Sequence, residues 1–286
     1  MTCTASEIAG AADNTARAEV SRHTFPERTS EKAFLGVSAL LFAGSAAVTI
    51  GWCASMSAMG GMAMPGGWTM SMAWMRMPGQ TWLGAAASFL GMWIAMMVAM
   101  MLPSLTPMLS RYRRAVGRVS GTRLGWLTVV AGAAYFAVWA AVGMVAFPLG
   151  VALATLEMQL PALSRAVPIA VGAIVLIAGF VQFTAWKAHH LARCRETPRN
   201  GRALRGDVRA AWRHGLTLGL HCCYCCAGLT LILFVMGVMD LRAMAVVAAA
   251  ISAERLAPAG ERVARVTGAV AVAAGALLIV QAAGLG

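Results

Sequence analysis

The stretch His221-Cys222-Cys223-Tyr224-Cys225-Cys226 places one imidazole and four thiols in six consecutive residues, inside the apolar run from His214 to Met239. On a helix, residues three and four apart share a face. Cys222, Cys225 and Cys226 therefore cluster, with His221 beside Cys225 and His214 two turns below. Cys223 points away by about a quarter turn, although it approaches Cys226 at a spacing of three. Cysteine can pack as a small hydrophobe between helices, but four in five positions argue against packing alone. A disulfide needs Cβ atoms aimed at one another over a narrow distance, which neighbours on one helix do not offer. Metal binding fits better. Thiolate and imidazole suit Cu(I), Zn(II) or iron–sulfur centres, and a bound cation offsets the cost of burying a thiolate. The spacing is no zinc-finger pattern, so zinc and iron stay open beside copper.

The methionines favour Cu(I). The chain has 20, and Met56, Met59, Met62, Met64, Met70, Met72, Met75 and Met77 form M-x-M and M-x-x-M steps in a Gly-rich loop that reads as flexible. Thioether sulfur is soft and neutral, and binds Cu(I) or Ag(I) without deprotonation. These eight form a candidate outer capture loop, in which Trp68, Trp74 and Trp82 read as interfacial anchors. Met92, Met96, Met97, Met100 and Met101 recur at helical spacing as one stripe, at the same depth as the cysteines. Met96, Met97, Met100 and Met101 are candidate ligands there. His190 and Cys194, four apart with His189 adjacent, add a candidate pair at an inner mouth. Glu254, beside Arg255, is a candidate proton or ion carboxylate, or the partner of Arg255 or another basic residue. Asp240 carries the same two readings at the outer end.

Helices in lipid must position these groups. Of the 286 residues 59% are hydrophobic and 12% charged, and the mean hydropathy is +0.71. Apolar runs long enough to cross a bilayer fall at 33–52, 81–102 (ended by Pro103), 124–147, 166–186, 214–239, 242–256 and 266–286. In lipid the backbone must satisfy its own hydrogen bonds, so these are helices. The lead-in to the first is too long for a signal peptide, so it reads as a retained span. Residues 1–32 read as a disordered cytoplasmic tail. Arg and Lys crowd that tail and the loops after the second, fourth and sixth spans, whereas the alternate loops carry one Arg each. Seven spans with a cytoplasmic N-terminus put every rich loop on one side. The expected fold is all-α: a polytopic transmembrane helix bundle, 33–286, with a Met-rich extracytoplasmic loop at 53–80. Topology and anionic lipid account for the net charge of +12, so nucleic-acid binding is not invoked.

Four local motifs between about Met92 and Gly268 resemble a bacterial family of polytopic, predicted metal-binding integral membrane proteins. "AMMLPS" (Ala99 to Ser104), followed by Pro107, is similar to that family's second-helix signature. "VQFTAWKAHHLARCR" resembles its Y-Q-x3-L-K-x2-C-L-x2-C-R loop, through Gln182, Lys187, Leu191, Cys194 and Arg195, with His190 at a cysteine position. "HCCYCCAGL" resembles its C-x-G-C-C-W core through Cys222, Cys225 and Cys226. Tyr224 replaces the glycine and Ala227 the tryptophan, while His221 and Cys223 are additions. "GVMDLRAM…AERLAP" is similar to its G-V-M-N-L…E-K-L-x-P segment, with Asp240 for asparagine and Arg255 for lysine. The resemblance implies metal binding and a place in the bacterial inner membrane.

The expected function is Cu(I) handling: transport, or capture and delivery to a metalloprotein through Met, Cys and His ligands. Its partners would be the lipid bilayer and a metallochaperone or metalloprotein client. A membrane thiol redox or assembly factor, which uses low-pKa cysteines, and a structural subunit of a membrane complex are the alternatives. Neither a Walker A sequence nor a D-K-T-G phosphorylation motif occurs, which argues against a self-contained ATP-driven pump. No nucleophile–base triad marks an enzyme.

Overall fold

The computed structural model describes residues 30–58, 60–65, 67–71, 74–76, 79–116, 119–195 and 206–284 in full, and 5–29 as backbone. The described residues form eight helices and one short hairpin: α1 (Ala5–Ala58), β1 (Met62–Met64), β2 (Trp68–Met70), α2 (Trp82–Ala115), α3 (Gly121–Gln159), α4 (Pro161–Val181), α5 (Ala185–Arg195), α6 (Val208–Met236), α7 (Leu241–Leu256) and α8 (Gly260–Ala282). The architecture is all-α. Six helices, α1 from Ser30, α2, α3, α4, α6 and α8, are long and apolar enough to cross a membrane, consistent with a multi-pass membrane protein. The sixth expected span, 242–256, corresponds to α7, whose 16 residues rise only about 24 Å. The tail expected at 1–32 falls mostly on residues whose side chains lie outside the described set.

Basic side chains gather one end of the bundle. Arg113 and Arg114, closing α2, reach Ser30 and Glu31 at 2.7 and 2.8 Å. Arg123 donates to the Gly206 carbonyl ahead of α6 at 2.8 Å, and Arg195 donates to the carbonyls of Ala257 and Pro258 between α7 and α8. At the opposite end the hairpin caps the bundle. Met62 pairs with Met70 across its antiparallel register, and Met64 and Met70 pack on Ala154 of α3. The Trp68 indole donates to the Ser164 carbonyl at 3.0 Å, and the Ser164 hydroxyl to the Pro65 carbonyl at 2.9 Å. Cys53 of α1 meets Met239, in the α6–α7 turn, at this same end. So α7 starts at the methionine end and finishes among the arginines.

Two features depart from the expected spans. Pro103 and Pro107 both lie inside α2. A proline in a helix forfeits one backbone hydrogen bond, whereas ending the helix in an apolar bundle would strand several polar groups at once. The Met-rich segment also holds a hairpin instead of a free loop. Gly60 and Gly67, at φ 74° and 77°, supply left-handed turns on either side of β1 that a side chain would resist. Trp74 is half-buried. It lies against Phe89 and Phe234, at centroid distances of 5.2 and 6.4 Å, and Trp93 stacks on Phe234 beneath it at 5.1 Å. Met59, Met72 and Met77 lie outside the described residues.

Helix α2 runs through the centre, its methionine stripe forming much of the buried core. Around it the other helices approach closely where side chains are small. A Cβ at Gly215 would overlap the Ala131 carbonyl, and one at Gly219 would come within 2.9 Å of the Tyr135 carbonyl. Parallel helices α3 and α6 therefore touch backbone to backbone just below Cys222. Gly215→Val is expected to destabilise the detergent-solubilised protein by at least ~1–3 kcal/mol, the usual cost of overpacking. Gly91→Val, on an open face with no atom near its added Cβ, should leave thermal unfolding almost unchanged.

Candidate metal centre

Asp207 caps α6, its side chain accepting from the Ala210 amide at 3.1 Å. The helix then turns Cys222, Cys225 and Cys226 inward on one face, as the i, i+3, i+4 spacing requires. All three are buried and their Sγ atoms lie within 4.8 Å of one another. Cys222 and Cys226 are 3.9 Å apart, Cys225 and Cys226 3.5 Å. Cys194 of α5 joins them at 3.5 Å from Cys225, and the Met101 thioether of α2 lies 4.0 Å from Cys222. Three helices thus contribute five sulfur atoms to one buried pocket. All four cysteines are free thiols. The hydrogen bond with Cys225, and burial, hold the Cys194 thiol well above its ordinary range.

Polar side chains from other helices fix this pocket. Tyr135, carried on α3 one turn beyond Ala131, donates its hydroxyl to Cys222 Sγ at 2.9 Å. Arg255 of α7 donates to the same sulfur at 3.0 Å, to Ser104 Oγ at 2.9 Å, to Tyr135 OH at 3.3 Å and to Met108 Sδ at 2.9 Å. Lys187 of α5 is buried, donates to the Cys225 carbonyl at 2.5 Å and pairs with Glu254 at 2.6 Å. This ion pair ties α5, α6 and α7 together around the thiols.

The other sequence candidates fall into separate places. His221 and His190 meet each other, Nδ1 to Nδ1, at 3.3 Å. Each sits four residues before a cysteine of the pocket, Cys225 and Cys194, so the half-buried imidazole pair lies about one helical turn away. Cys223 is half-buried on the flank of α6, outside the close cluster of Cys222, Cys225 and Cys226. Met96, Met97 and Met100 are buried along α2; of the stripe, Met101 is the one beside a thiol. His214 stacks on Tyr112 at 4.8 Å, and His189 is exposed. Met64 and Met70 are buried under the hairpin, Met56 and Met75 half-buried and Met62 exposed. Asp240 caps α7, accepting from the amides of Arg242 and Ala243. Glu254 does not pair with Arg255: neighbours on a helix point in different directions, and its partner is Lys187.

A family model described as PpoB2, copper chaperone, matches residues 90–278. The chain belongs to this copper chaperone family. The matched segment covers well over half of the chain and includes every residue of the pocket. The search of curated proteins found no match, and neither did the search of solved structures. Membership supports copper as the metal handled, and the pocket gathers sulfur donors, which suit soft ions such as Cu(I).

Sequence reading did not anticipate Tyr135, Ser104 and Met108 as neighbours of the pocket. Ser104 closes the AMMLPS motif, but nothing in the spacing of Tyr135 and Met108 marks them; all three arrive there by the packing of α2 and α3. Lys187 and Arg255 did stand within motifs, and a cation next to an apolar run was the available clue. Lys187→Met is expected to cost ~3–5 kcal/mol, because it leaves the Glu254 carboxylate buried and unpaired. The double variant Lys187→Met/Glu254→Leu should recover most of that loss in thermal unfolding.

Proposed function

We propose that this protein binds one Cu(I) ion on Cys222, Cys225 and Cys226, with Cys194 and Met101 completing the donor set, and hands it to a metalloprotein client. The observation that carries the reading is the convergence of four thiols and a thioether, from three helices, in a pocket closed to bulk water. The Met101 thioether, soft and neutral, favours Cu(I) over zinc or magnesium. Burial of these thiols disfavours the redox alternative, whose cysteines must meet a partner thiol or quinone.

In this reading the protein sits in the bacterial inner membrane with its N-terminus and basic end in the cytoplasm, following the excess of arginine there, and α7 completes seven crossings. The methionine hairpin faces the outside and collects the ion. The buried stripe of Met96, Met97, Met100 and Met101 lies between the hairpin end and the cysteines. The His190–His221 pair exchanges the ion between the thiols and the basic end, where a metallochaperone or client docks. Each transfer swaps one soft ligand for another.

Anaerobic Cu(I) loading followed by metal analysis tests the proposal. The wild type should retain about one copper per chain after desalting, whereas Cys225→Ser/Cys226→Ser should fall to background. Only background copper in the wild type would remove it.

A further inference from the structure

Arg255 is buried, at 3% exposure, and among the described residues no carboxylate pairs with it. The nearby acid, Glu254, is neutralised by Lys187. The guanidinium bonds instead to Cys222 Sγ, Ser104 Oγ, Tyr135 OH and Met108 Sδ. A guanidinium is always charged, and a lone charge in an apolar interior is strongly disfavoured unless something opposite in sign compensates it. The groups around it are neutral as written, so its counter-charge has to come from the sulfur pocket. Cys222 Sγ receives two donors, Arg255 Nη1 at 3.0 Å and Tyr135 OH at 2.9 Å, which is the arrangement that stabilises negative charge on an acceptor.

We infer that Arg255 is the fixed counter-cation of an anionic metal–thiolate complex on the cysteine cluster, and so sets the net charge that the bound complex must carry. The inference rests on the proposed Cu(I) site. One Cu(I) ion on two thiolates carries a single negative charge, and Arg255 cancels it inside the bundle. The remaining thiols and Met101 then bind as neutral donors. Met108, whose sulfur is engaged by Nη2, is withheld from the metal. Arg255 thus acts through Cys222, as a positioning and charge-balancing residue.

Charge and shape are separable by substitution. Arg255→Lys keeps the charge, Arg255→Gln keeps hydrogen bonding without it, and Arg255→Met keeps neither. Anaerobic titration of full-length protein against a chromogenic Cu(I) chelator reads the affinity, and thermal unfolding with and without Cu(I) reads the metal-induced stabilisation. Arg255→Met and Arg255→Gln should each weaken Cu(I) binding by at least about tenfold, given the strength of a close charge pair at low dielectric. Arg255→Lys should stay within a few-fold of the wild type. The metal-free Met variant should unfold no earlier than the wild type, because an apolar replacement relieves the buried charge, while its stabilisation by Cu(I) shrinks. The opposite pattern overturns the inference: metal-free stability falling with the copper-induced shift unchanged, or Gln binding copper as well as Lys. If Arg255→Met cannot be recovered folded, the Lys and Gln comparison decides alone. A wild type that binds no Cu(I) removes the proposed site, and this inference with it.

Discussion

Two cations, Lys187 and Arg255, sit within the apolar bundle, and the rest of the centre is arranged around what they require. Charge in such an interior must be met locally. Lys187 is met by Glu254 and, through the Cys225 carbonyl, fixes the backbone of the cysteine turn. Among the described residues Arg255 is met by sulfur and hydroxyl groups. The pair of cations draws α5 and α7 onto α6, and the thiols are brought together by the same contacts. A pocket of sulfur alone would be an apolar core like any other; in the proposed reading the cations offset the charge of a thiolate complex.

The helical bundle positions the centre by close backbone approach. Gly215 and Gly219 let α3 lie against α6, which carries the Tyr135 hydroxyl to Cys222. Helix α2 continues through Pro103 and Pro107, so Met101, Ser104 and Met108 stay on one buried face directed at the cluster. At the far end the hairpin and the stack of Trp74, Phe89, Trp93 and Phe234 close the bundle over the methionine stripe. The result is a sulfur-lined core that is shielded at the methionine end and bordered by imidazoles near the basic end.

Much of this is legible in the sequence. The spacing of Cys222, Cys225 and Cys226 implies one face, and the pocket uses that face. The apolar runs imply a helical bundle, with termini that packing then moved. Helix α3 extends to Gln159 beneath the hairpin, and α4 breaks at residues 182–184 into α5 without a Gly or Pro to signal the turn. Beyond that break α5 packs against α6, so Cys194 enters the pocket while His190 pairs with His221. Arg255 closes an apolar run, the usual place of a loop cation. Its inward direction depends on helix phase and on which helices surround α7, and neither is written in local composition.

Together the pocket's donors, the buried cations and the family match support the proposal that this protein holds copper on sulfur away from water. X-ray absorption at the copper edge of anaerobically loaded wild-type protein addresses that claim most directly. The account predicts Cu(I) with a first shell made entirely of sulfur. A first shell dominated by imidazole nitrogen, which would place the ion at the His190–His221 pair and leave the thiols unused, would contradict it.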